Sequence, residues 1–121
     1  MATRLRILLV ASEASPFAKT GGLGDVTGAL PRALRALGHD VRILMPRHRG
    51  IERHVGEIRT VVPRLAVPLG DRVVEGALEE AESATGVPVY FLAQHQYFDR
   101  DGLYGTADGD YWDNGERFVF F

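Results

Sequence analysis

Apolar positions along the chain fall into runs of different period, and each run predicts an element. Leu5 to Ala11 (LRILLVA) is almost unbroken aliphatic sequence, the pattern of a strand buried on both faces of a parallel sheet. From Leu23 to Leu37, the residues Val26, Leu30, Leu34 and Leu37 recur at three- and four-residue steps, which marks one face of a helix. Pro31 lies inside this pattern and removes one backbone hydrogen bond, so a kink or break is expected there. Gly38 suits the left-handed position that closes a helix. Val41 to Met45 reads as a second buried strand, ended by Pro46. Strand, helix and strand in this order predict two parallel strands joined by a right-handed crossover.

Further on the period changes. Thr60 to Val67 and Arg72 to Leu78 flank Gly70-Asp71, a turn pair, and predict an antiparallel hairpin. Ala84-Thr85-Gly86 is another turn, and Val87 to Ala93 is a third apolar strand that returns to the main sheet. Gln94 to Asp113 is rich in Gly, Asp and Tyr and reads mostly as loop. Asp113 and Glu116 have the spacing of a capping box that opens a helix at Glu116. The closing Phe118, Val119, Phe120 and Phe121 are expected to lack cover, and the one complete helix is too little to cover both faces of a parallel sheet. On this reading the chain is the front piece of something longer. The fold class is α/β, a Rossmann-like parallel sheet with an inserted antiparallel hairpin.

Bulk composition narrows the function classes. The 121 residues have one domain's length, and 45% hydrophobic with 25% charged residues describe a globular chain. A net charge of −2 argues against a general nucleic-acid binder. No apolar run reaches the length of a membrane span, and the start lacks the cleavage site of a secretory signal. Without cysteine there are no disulfides or thiolate metal sites, which fits the cytosol. His39, His48, His54 and His95 have no metal-ligand spacing and read as surface or capping residues.

Candidate chemistry concentrates in Lys19 to Val26 (KTGGLGDV), between the first strand and the helix. Such a turn can present backbone N–H groups and a helix dipole to an anion, or can simply be a permissive connector. The spacing Gly22, Gly24, Gly28 misses the dinucleotide fingerprint by one residue, and no G-K-[ST] ending supports a P-loop. Lys19 is the only lysine, and all other long cationic side chains are arginine. A compact ammonium differs from a planar guanidinium, so its retention in this loop points toward a crowded anion site. Asp25 also has a bland role as a first-turn acid that favours the helix dipole. Arg42, Arg47, His48, Arg49, Arg53 and His54 read as a solvated loop, and Glu75, Glu79, Glu80 and Glu82 as a solvated hairpin face. Tyr97, Phe98, Tyr104, Tyr111 and Trp112 could stack on sugar rings or cover the sheet.

The stretch KTGGLGDVTGALPRALRALGHDVRILMPR resembles the opening signature of bacterial glycogen synthases and plant starch synthases. The later VPVYFLAQHQYFDRDGLYG and DYWDNGERFVFF resemble the continuation of the same enzymes, in the right order. The resemblance covers almost the whole chain and is weakest from Gly50 to Ala84. It implies the first part of the N-terminal half of a GT-B glycosyltransferase, with residues 1–121 an apparently truncated Rossmann-like domain and the second GT-B domain absent. The implied activity is retaining transfer of glucose from ADP-glucose to the 4-hydroxyl of an α-1,4-glucan such as glycogen, without a required metal or other cofactor. By the same resemblance, Lys19, Gly21 and Gly22 bind the ADP-glucose donor, Asp25 and Tyr104 approach the cleft or sugar, and no catalytic residue lies in this segment. A GT-B transferase using UDP- or GDP-sugar, or a non-catalytic glucan-binding or anion-binding module, are the alternatives. Trp112, Gly115 and His48 depart from the family pattern, which has proline, alanine and often tyrosine there.

Overall fold

The computed structural model describes residues 3–121. Its main sheet has five strands: β1 (Arg6–Val10), β2 (Asp40–Pro46), β3 (Arg59–Leu69), β4 (Arg72–Glu82) and β5 (Pro88–Ala93). They lie in the order β1-β2-β5-β4-β3. The three aliphatic runs become the parallel part, with Ile7 opposite Val41 and Ile43 opposite Val89. The predicted hairpin forms around Gly70, whose φ of 67° is the left-handed value its turn requires. It is longer than expected and joins the same sheet, because β4 pairs antiparallel with β5 from Ala77 to Glu82. Pro63 and Pro68 are tolerated in β3 because that strand lies at the sheet edge.

Helix α1 (Gly22–Ala36) packs against β2 and runs unbroken through Pro31. At its end Gly38 has φ 95°, its N–H bonds Arg35 O, and the His39 N–H reaches Leu34 O. Those two bonds are a Schellman closure. The expected apolar face of α1 is not the buried one. Gly24, Thr27 and Pro31 are buried, while Val26, Leu30 and Leu37 are exposed. Small residues face inward because the preceding loop lies directly on the helix: a Cβ at Gly24 would stand 2.5 Å from Lys19 Cβ, and one at Gly28 2.5 Å from Ser15 O.

Strand β1 also departs from expectation. It has a neighbour on one side only, and its side chains alternate in exposure. Ile7 and Leu9 share the face of buried Val41 and Ile43, while Leu8 and Val10 on the other face are 53% and 56% exposed. One core lies on the α1 face, formed by Ile43, Met45, Val89 and Phe91 with Ala14, Phe17 and Ile51. The second lies on the opposite face, where Leu92 meets Tyr97, Phe98 and Phe120.

The segment read as loop contains a short helix, α2 (His95–Phe98), capped by the Gln94 side chain. It also holds a small hairpin of β6 (Gly105–Thr106) and β7 (Gly109–Asp110). Tyr97 and Phe98 cover the sheet, whereas Trp112 is exposed. Helix α3 spans Asn114–Phe120, but the expected capping box is not made. The Asp113 carboxylate instead receives both terminal nitrogens of Arg100 at 2.6 Å, and Glu116 pairs with Arg72. Phe120 is buried and Phe118 and Phe121 are partly buried, so the closing aromatic run is better covered than its sequence suggests.

Several of the charges read as solvated are also paired, most of them at the surface. Arg47 donates to Glu79 at 2.6 Å, Arg49 to Asp99 at 2.8 Å, and Arg59 and Arg64 to Glu80 and Glu75 across the hairpin. Among the described residues no helix is long and apolar enough to cross a membrane.

Candidate functional site

The loops leaving β1, β2 and β5 converge at the carboxyl ends of the parallel strands, where open α/β sheets place their ligands. From the first comes the run Ser12 to Gly21, from the second His48, and from the third Tyr104. At their meeting point is Glu13, which is 2% exposed.

Glu13 accepts five hydrogen bonds. Its Oε1 takes the backbone N–H of Thr20 (3.2 Å), Gly21 (3.2 Å) and Gly24 (3.1 Å). Its Oε2 takes the Thr20 hydroxyl at 2.8 Å and the Tyr104 hydroxyl at 2.7 Å. Burial by itself would raise the carboxyl pKa. The bonds from Tyr104 and Thr20, then the amides of Thr20 and Gly21, outweigh it and hold the group at about 2. Since the single Tyr104 proton goes to Glu13, the Ser12 hydroxyl donates to Tyr104 across their 2.7 Å contact.

This carboxylate replaces a local cap. Gly21 at the N-cap of α1 has no side chain to offer, so the buried acid satisfies the Gly24 N–H from eleven residues upstream. It also occupies part of the positive end of the helix dipole. The Gly24 amide is therefore not open to an outside anion.

Lys19 and Asp25 lie on the solvent side of the same loop. The ammonium donates to Asp25 Oδ1 at 2.6 Å, with the two side chains 45% and 60% exposed. Gly21 and Gly22 are exposed, and apart from the adjoining backbone no atom stands within 4 Å of where a Cβ would be on either. Protein packing thus demands glycine at Gly24 and Gly28, while Gly21 and Gly22 face open space.

His48 closes the floor. Its Nε2–H donates to the Ser12 carbonyl at 2.8 Å, its ring meets Phe98 edge-on, and its buried Nδ1 has no partner among the described residues. Burial lowers its pKa from 6.5, against a smaller upward effect of the Ser12 bond. The sequence reading of this histidine as a surface residue is corrected: the chain turns inward after Pro46 and buries it. On the far side Tyr104 is fixed through its backbone, with its carbonyl receiving Asn114 Nδ2 at 2.7 Å. Arg117, fully buried, donates to the carbonyls of Tyr97 at 2.6 Å and Leu103 at 3.0 Å.

All five residues singled out in the sequence are thus in one neighbourhood: Lys19 with Asp25, Gly21 and Gly22 beside them, and Tyr104 beneath through Glu13. Sequence reasoning missed Glu13 and Thr20. The only available signal was an acid at the exit of an aliphatic run, a position where a buried charge needs a reason. The site is an open shelf. A cleft of about 690 Å³ lies elsewhere, between Arg53, His54 and the end of β4.

Residues 6–121 match the family described as starch synthase catalytic domain. Over 97% of its length the chain is 54% identical to a glycogen synthase of Syntrophotalea carbinolica and 49% identical to one of Geotalea daltonii. Among solved structures it matches the catalytic domain of starch synthase IV from Arabidopsis thaliana, which was solved bound to ADP and acarbose. That match has a TM-score of 0.81 and 29% identity and covers 98% of this chain. In each case the chain spans 24% of the relative's length. With a family match across nearly all its residues and relatives up to 54% identical, the chain belongs to the starch synthase catalytic domain family.

Proposed function

We propose that this chain forms the donor-side opening part of a retaining glucosyltransferase. The enzyme moves glucose from ADP-glucose to the 4-hydroxyl end of an α-1,4-glucan and works in the cytosol. In this reading residues 1–121 begin the N-terminal Rossmann-like domain of a two-domain GT-B enzyme. The observation that carries it is an exposed ammonium beside two unobstructed glycines, on a loop held from below. Bare backbone with an adjacent point charge suits a diphosphate, whose oxygens need close approach and positive charge. The relatives' names and the ADP and acarbose in starch synthase IV support the nucleotide and the glucan as the two substrates.

The chemistry asked of this wall is electrostatic. As the bond between glucose and ADP breaks, charge accumulates on the diphosphate, and a fixed ammonium stabilises the transition state more than the ground state. Asp25 holds Lys19 in place or yields it to the donor, while Tyr104 offers its ring edge to the sugar because its hydroxyl is committed to Glu13. No group of this segment breaks or forms the glycosidic bond.

The test is kinetic, in a full-length synthase carrying this segment. Lys19→Ala should lower kcat/KM for ADP-glucose by about 1–3 kcal/mol, the range for a lost charged hydrogen bond. Lys19→Arg should recover part of it, because the planar fork fits a point-charge site poorly. Full activity of Lys19→Ala would refute the assignment.

A further inference from the structure

We infer that Glu13 is a positioning residue for donor binding, holding the Lys19–Gly22 loop and Tyr104 in one geometry before the substrate arrives. The inference rests on the reading of that loop as the donor site. Three of the five bonds to Glu13 come from backbone amides, those of Thr20 and Gly21 in the loop and of Gly24 in the first turn of α1, and a fourth from the Thr20 side chain. The fifth comes from Tyr104, 91 residues along the chain and on the opposite side of the shelf.

The surroundings show why one carboxylate matters. Lys19, Gly21 and Gly22 are exposed, and Gly21 and Gly22 have no packing contact where a side chain would be. Above the loop the Lys19–Asp25 pair is solvent-exposed and a weak tether, and three glycines in four residues leave many conformations to lose. From below, Glu13 fixes the amides on either side of Gly22, leaving the Gly22 and Leu23 N–H groups without an intramolecular partner among the described residues. Without this anchor a donor would have to order the loop itself, which weakens binding by the population of the competent shape. Ser12 and His48 brace the same point, since the Ser12 hydroxyl bonds Tyr104 and the Ser12 carbonyl receives His48. The acid itself touches no open surface, so it acts through the loop and not on the substrate.

Steady-state kinetics of a full-length synthase carrying this segment test the inference, with ADP-glucose and glycogen varied separately. Glu13→Ala should raise the donor KM at least about tenfold, as loss of charge-assisted bonds implies, while the glycogen KM stays within about twofold. Glu13→Gln keeps one oxygen for the three amides and should restore most of the donor KM, to within roughly three- to tenfold of the parent. In a double-mutant cycle, Glu13→Gln should cost less in the Lys19→Ala background than alone, because the two act on one loop. If Glu13→Ala does not fold, Glu13→Gln and its cycle decide the matter. Equal effects on both KM values, an additive cycle, or a Glu13→Gln donor KM within about twofold of the parent would each overturn the inference. A Lys19→Ala enzyme with an unchanged donor KM would instead overturn the donor-site reading beneath it.

Discussion

Gly22 and Gly24 stand two residues apart in the first turn of α1 and answer to different neighbours. A Cβ at Gly24 would meet Lys19 Cβ at 2.5 Å and Glu13 Oε1 at 3.1 Å, whereas one at Gly22 meets nothing within 4 Å. Such overpacking costs about 1–3 kcal/mol, and the helix propensity gained by alanine, up to about 1 kcal/mol, offsets only part. Gly24→Ala should therefore lower the melting temperature and Gly22→Ala should not, as thermal denaturation of the two variants would report. Glu13 makes the same neighbourhood sensitive to acid. Its folded pKa of about 2 lies below the unfolded 4.5, so its contribution is complete above pH 4.5 and is lost as pH falls toward 2. The shift corresponds to about 3 kcal/mol. Urea unfolding at stepped pH should show stability falling between pH 5 and 3, roughly, with a flatter profile for Glu13→Gln. His48 adds to acid sensitivity with the same sign, since burial holds its pKa below 6.5 and its protonation disfavours the fold. An equally steep profile in Glu13→Gln would mean that other carboxylates carry the effect.

At the scale of elements, α3 depends on a buried cation. Arg117 is fully buried, has no carboxylate within salt-bridge distance among the described residues, and spends its guanidinium on Tyr97 O, Leu103 O and Asn114 Oδ1. It also lies over the rings of Phe98, Tyr111 and Phe118 at 5.0 to 5.4 Å. The flat fork spreads its donors over three separated acceptors while its plane lies against aromatic rings, whereas an ammonium concentrates its three donors at one point. Arg117→Lys should cost about 2–4 kcal/mol by leaving buried carbonyls unpaired, and calorimetry of the variant would measure it. A change under about 0.5 kcal/mol would show that the carbonyls find other donors. Helix α1 teaches a different lesson. Its leucines at three- and four-residue spacing correctly marked a helix, yet the helix turns Gly24, Thr27 and Pro31 inward. Periodicity reports that a segment is amphipathic; which side is covered depends on what lies nearby, here a loop pressed close enough to require glycine.

For the whole molecule, the proposed function makes the open shelf one wall of a cleft. A donor touched from one side stays hydrated, and charge developing as its glycosidic bond breaks meets no preorganised partner on the other. The 121-residue chain by itself should therefore elongate no glucan, although Lys19 and its loop could hold ADP-glucose weakly. Incubation with radiolabelled ADP-glucose and glycogen provides the measurement, and incorporation above a Lys19→Ala control would show the catalytic apparatus to be present here. The exposed Leu8 and Val10 on β1, with Val26 and Leu37 on α1, favour self-association of the isolated chain, which sedimentation would detect.

Local chemistry determined much of this protein directly from its sequence. Aliphatic runs specify strands because a sheet interior accepts little else, and Gly38 and Gly70 stand where the backbone needs positive φ. The glycine loop with Lys19 could be read as candidate chemistry because its residue types are unusual together. Tertiary structure decided the rest. That β1 is an edge strand, that Asp113 serves Arg100 and not its own helix, and that His48 is buried all follow from neighbours brought in by the fold. Glu13 is the sharpest case. Its partners lie seven to 91 residues away, and a carboxylate can be buried only where converging donors replace its lost water, a condition no local pattern reveals.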